Sequence, residues 1–94
     1  MRIALVLLSC FLSIGLLACA SAPVQEMSNA RQAIAAADEA GAQAVAAPLM
    51  AEARALLTSA EGKLERHNYV GARIDATNAR LKAVEALDQT KKKE

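Results

Sequence analysis

The sequence predicts an all-α protein: an antiparallel helical hairpin with an additional N-terminal helix, behind a lipoprotein signal peptide. Residues 19–94, 76 in all, include 21 alanines. With Glu, Lys, Arg, Gln and Leu these make a composition whose side chains lose little rotamer freedom in a helix. Val, Ile and Thr are few and scattered, and no stretch alternates with the period of two that a half-buried strand needs. Helix breakers stand at Gly41, at Ala47-Pro48 and at His67-Asn68, and they cut the chain into segments of helical length.

The N-terminal segment comes first. Met1-Arg2 is a short positive start, and residues 3–17 form an apolar run of 15 residues. That is shorter than the ~20 residues a membrane-spanning helix needs, and Ser9, Ser13 and Gly15 interrupt it. Directly behind it lies Leu16-Leu17-Ala18-Cys19, which resembles a bacterial lipobox. On that resemblance the peptide is cut between Ala18 and Cys19, and the Cys19 thiol carries diacylglycerol. The new amino terminus then takes an acyl chain such as palmitate. A plain secretory signal cut after Ala18 or Ala20 is the competing reading, and a retained anchor is the weakest. Cys10 after Leu8-Ser9 mimics a second lipobox, but it sits too close to Arg2. Several acyl chains, each contributing ~0.8 kcal/mol per buried methylene, make such an attachment effectively permanent. Ala20, rather than aspartate, follows the cysteine, which by analogy with lipoprotein sorting implies the periplasmic face of an outer membrane.

The expected layout is a signal peptide over 1–18, a lipidated terminus and short tether over 19–23, a helical domain over 24–90 and a basic tail over 91–94. Pro23 suits a helix start. From there Met27, Ala30, Ile34, Ala37 and Gly41 recur at alternating spacings of three and four, an apolar stripe for a first helix over about 24–44. Gly41 weakens that helix, and Pro48, which restricts the residue before it, separates it from the next. The second helix, about 48–66, lines up Leu49, Ala53, Leu56, Ala60 and Leu64, with Leu57 widening the face. His67-Asn68 makes a tight break in which Asn68 is a natural N-cap. The third helix, about 69–90, takes Val70, Ile74, Thr77, Leu81 and Val84 as its face. So short a connection makes the last two helices an antiparallel hairpin. Its core is thin, because alanine buries little area, and such a domain benefits from packing partners. Met27, Ile34, Leu49, Leu56, Leu64, Tyr69, Ile74 and Leu81 are therefore the candidate packing or interaction face.

Glu26-Met27, Ala30-Arg31-Gln32-Ala33-Ile34, Ala47-Pro48-Leu49, Ala53, Leu56, Ala60 and Asn68-Tyr69-Val70-Gly71-Ala72 together resemble the bacterial family called domain of unknown function 4398. The resemblance spans about residues 24–87. It implies a small envelope lipoprotein or helical module, some members being joined to a wall-binding domain like that of outer membrane protein A. No such domain, and so no direct wall binding, is expected of residues 1–94, and Val45 and Ala46 stand where members often carry an aromatic. The resemblance implies no activity. The turn is also similar to a tetratricopeptide unit, with Leu64, Tyr69, Ala72 and Ala76 at its packing positions, but an array needs about three units. Shared hairpin geometry is the expected account of the likeness, and a single protein-docking repeat is the alternative.

Residues 19–94 carry ten basic and ten acidic side chains, and this neutrality argues against nucleic acid, which requires a basic surplus. Lys91-Lys92-Lys93 reads as a solvated tail, the alternative being contact with anionic headgroups or cell-wall polymer. With Cys19 assigned to lipid, no internal disulfide is expected. His67, the one histidine, reads as a solvated or capping group, and Glu65 and Asn68 beside it are a poor metal set. Glu61 and Glu65 share a face but lack a neighbour that would separate them into acid and base. Ser59 and Thr58 have no histidine close in sequence, and Gly62 and Gly71 form no phosphate loop. Tyr69 is expected to plug the space between the hairpin helices, the alternative being that its hydroxyl marks a contact surface. No enzyme, cofactor or small-molecule substrate is expected beyond the lipid at Cys19. Expected instead is a lipid-anchored helical module that meets another envelope protein. The alternative is a structural lipoprotein that self-associates into a bundle or coiled coil. An exposed Met27/Ile34 stripe would favour the first, and pairing of that stripe with its own copy the second.

Overall fold

The computed structural model describes residues 22–92. They form α1 (Val24–Glu39), the single-turn α2 (Ala42–Val45), α3 (Ala47–Glu65) and α4 (Tyr69–Lys92). No strand occurs among the described residues, and the last two long helices pack as the expected hairpin with α1 as the extra helix.

The first helix ends earlier than its stripe implies. Gly41 adopts φ +83, a left-handed conformation that glycine reaches without a Cβ penalty. Its N–H donates to the Asp38 carbonyl at 3.0 Å, closing α1 at Glu39. The backbone restarts as α2, and Ala42 rather than Gly41 enters the core. Ala46, non-helical at φ −136 and ψ 49, separates α2 from α3, and Pro48 lies in the first turn of α3, where a missing N–H costs nothing.

The hairpin turn is built from two interlocked caps. The Asn68 N–H donates to the Lys63 carbonyl at 2.8 Å, and the His67 N–H donates to that of Leu64 at 3.0 Å. His67 takes the left-handed position, φ 61, usually given to glycine in this arrangement. Asn68 then caps α4, its Oδ1 accepting the Gly71 N–H at 3.1 Å. A Cβ on Gly71 would stand 2.7 Å from Asn68 Nδ2. A side chain at 71 would therefore have to displace the Asn68 amide from its capping position.

Two apolar clusters fix the helix directions. Met27 and Ala30 meet Ala60, Ala76 and Ala79, while Ile34 and Ala37 meet Met50, Ala53, Ala83 and Ala86. Advancing along α1 therefore advances along α4 and retreats along α3. The chain runs up, down and up, with α1 parallel to α4. Helix α4 is the hub: it packs along both neighbours, whereas α1 and α3 meet only lightly. Eleven of the fourteen buried hydrophobic residues are alanine. The helices can approach closely, but each contact removes little apolar area from water.

Candidate interaction surface

On α4 the buried positions are Ala72, Asp75, Ala76, Ala79, Ala83, Ala86 and Thr90. Without Asp75 they recur at spacings of four and three, a heptad stripe made almost wholly of alanine. Val70, Ile74, Thr77, Leu81 and Val84 recur at the same spacings two positions earlier. At about 100° per residue, that offset turns the second stripe ~200° away, to the opposite side of the helix. The larger side chains are the exposed ones. Val70 is 69% accessible, Ile74 55%, Leu81 52% and Val84 37%.

This overturns the expected packing face of the third helix. Ile74 and Leu81 do not pack in the hairpin, and Val70, Thr77 and Val84 stand outside with them. Both stripes have helical period, so periodicity could not choose between them. Size pointed to the aliphatic stripe, but close approach to two neighbouring helices selects the alanines. The remaining candidates are divided. Met27 and Ile34 are buried between α1 and α4, which withdraws the Met27/Ile34 stripe as an outward face. Leu49, Leu56 and Leu64 are half-buried along α3, around a fully buried line of Met50, Ala53 and Ala60. Met50 was not among the sequence candidates, although its spacing of three to Ala53 was visible. Tyr69 is half-buried, with its hydroxyl 3.0 Å from His67 Nδ1 in an exposed contact. It braces the turn from one side and is not the expected plug. Ala18 and Cys19 lie outside the described residues.

Polar ties join the helices around the alanine core. Ser59 Oγ donates to Asp75 Oδ2 at 2.6 Å, and Lys63 Nζ approaches the same oxygen at 2.8 Å, both across the α3–α4 seam. The Lys63 hydrogen bond, then that from Ser59, hold the Asp75 carboxyl below its usual range against the opposing effect of burial. Ser59 therefore donates its hydrogen bond to an ionised carboxylate, and Lys63 is held beside that charge. The contact ties α3 to α4 across the hairpin. Arg73 pairs with Glu26 of α1 at 3.2 Å. Arg54 of α3 reaches Asp38 of α1 and also Gln43 of α2 at 2.8 Å, fastening the α1–α3 corner.

No family model, curated protein or solved structure matches the chain. Among the described residues no helix is long and apolar enough to cross a membrane. Nor do three or more His, Cys, Asp or Glu side chains there gather into a group that could hold a metal. The described surface presents an aliphatic ridge about two heptads long on α4.

Proposed function

We propose that this chain is a non-enzymatic, lipid-anchored module of the bacterial envelope. Cys19 bears the lipid at the periplasmic face of an outer membrane, and the helical domain works by docking to protein. The observation that carries the docking half is the outward ridge of Val70, Ile74, Leu81 and Val84 on a helix whose inward face is alanine. A lone exposed aliphatic side chain is ordinary, whereas a row of them at regular spacing marks a contact surface. The anchoring half is supported by Leu16-Leu17-Ala18-Cys19 behind an apolar run. Membership in the family of domain of unknown function 4398 is part of the same proposal, supported by the quoted motifs.

The test separates the halves. Cys19→Ser should abolish palmitate incorporation and move the protein from the membrane to the soluble fraction. Retention of that variant as an integral membrane protein would refute the anchor. Leu81→Asp should keep membrane attachment and normal melting while losing crosslinked products in intact cells. Unchanged crosslinking would refute docking through the ridge.

A further inference from the structure

We infer that the α4 ridge is the seam of a parallel, in-register homodimer: its occupant is the same ridge of a second copy. The inference rests on the docking reading above and names its surface, its partner and the register.

Three features select the second copy. The first is vacancy on one side of a hub. Asp75 and Lys82 mark the side of α4 that meets α3, through Ser59 and Glu52. Arg73 marks the side that meets α1, through Glu26. At about 100° per residue, Ile74 and Leu81 project into the remaining third of the circumference. A helix laid there would be the third neighbour of α4, without displacing either existing one.

The second feature is charge. With Ile74 and Leu81 as a positions and Val70, Thr77 and Val84 as d positions, Arg80 falls at g and Glu85 at the following e. In a parallel pair, g of one helix meets the next e of the other. Arg80 therefore meets Glu85 of the second copy, and two-fold symmetry repeats the contact on the other edge. Both residues are exposed in the single chain. An antiparallel pair centred on the ridge, at Thr77, would instead set Arg80 near Arg73 of the second copy, a like charge. After Val84 the next a position is Asp88, which would face its own copy as a like charge and so ends the seam.

The third feature is the direction of the chain. Because α1 runs parallel to α4, residue 22 and the start of α4 lie at one end of the molecule. A parallel dimer places both N-terminal tethers at that end, as two chains held in one leaflet require. The ridge is shorter than the run of about three to four heptads that marks a free-standing coiled coil. Confinement to a shared surface supplies the missing concentration.

The experiment uses the full-length chain in its own cells, with Ile74→Cys or Leu81→Cys and a short bis-maleimide. Either substitution should yield a product of twice the chain mass, linked at identical positions. Glu52→Cys, on α3 away from the ridge, should yield none. Val70→Cys co-expressed with a tagged Val84→Cys chain should give no mixed product, because in register these residues sit at opposite ends of the seam. Arg80→Glu should reduce the Leu81→Cys product by about tenfold, and adding Glu85→Arg should restore it. Restoration cannot come from a misfolded chain. Absence of the Leu81→Cys dimer, a foreign protein in its place, a mixed 70–84 product, or no rescue by the second charge reversal would each overturn the parallel homodimer. Crosslinking of the chain without any added cysteine would instead reveal a free thiol at Cys19, or at Cys10 of an uncut chain, and either outcome sinks the lipid anchor while leaving the seam to be judged by the variants.

Discussion

Single residues set where the helices stop, and they do so by different means. At Gly41 the determinant is backbone conformation alone, since a Cβ there would meet nothing within 4 Å. Gly41→Ala should therefore lower stability by about 1 kcal/mol, the cost of holding an L-residue left-handed. Thermal melting would measure it, and an unchanged melt would mean that the corner rearranges freely. At Gly71 the determinant is space, because the Asn68 side chain occupies it. Asn68→Ala should cost about 1 kcal/mol through the lost cap. Gly71→Ala should cost a comparable amount by expelling the same cap, and the two losses should not add. A double-mutant cycle reads this directly.

The helices themselves show what periodicity can and cannot convey. The α1 stripe of Met27, Ala30, Ile34 and Ala37 was legible in the sequence because it has no rival on that helix. Breaks at Pro48 and His67-Asn68 were legible because each has a local cause in φ restriction or capping. The face of α4 was not, because two stripes of equal period lie back to back and only the neighbouring helices decide between them. A substitution pair exposes the difference. Ala79→Leu adds volume where α1 and α3 close on α4 and should cost about 1–3 kcal/mol. Leu81→Ala, though it removes a larger side chain, should change monomer stability by no more than about 0.5 kcal/mol. Chemical denaturation of both variants ranks them, and the reverse order would restore the aliphatic face to the core.

The buried carboxylate on the same helix adds a pH signature that sequence spacing could not announce, since Ser59, Lys63 and Asp75 meet only once the hairpin is closed. Asp75 has a folded-state pKa held below its unfolded value, first by the Lys63 hydrogen bond and then by that from Ser59. Its stabilising contribution is therefore complete above the unfolded value of about 3.9 and is lost as pH falls through the lower, folded value. Asp75→Asn should cost about 1–3 kcal/mol at neutral pH and should flatten the loss of stability on acidification. Melts from pH 7 down to pH 2 would show it. An equally steep acid loss in the variant would mean that other carboxylates carry the effect.

At the scale of the whole molecule, the parallel course of α1 and α4 sets a polarity. Residue 22 and the His67 turn lie at one end; the Gly41–Pro48 corner and Lys91-Lys92 lie at the other. With 24 residues, α4 spans about 36 Å between them. If Cys19 is the attachment point, the basic tail is presented away from the membrane surface. A Cys19→Ser chain tagged at its C-terminus should then fold with the same melting temperature as the membrane-bound form. A large shift would show that the bilayer is part of the domain's packing.

The same polarity has a mechanical side. Tension applied between the N-terminal end and the C-terminus of α4 pulls α1 from one end of the bundle and α4 from the other. Two parallel helices loaded in this way slide lengthwise, so the contacts from Met27 to Ala86 must yield together. Pulling instead on the start of α3 and the end of α4, which lie together at the open end of the hairpin, would peel those helices apart one layer at a time. A core made mostly of alanine can therefore be weak against heat and still resist being stretched along its length.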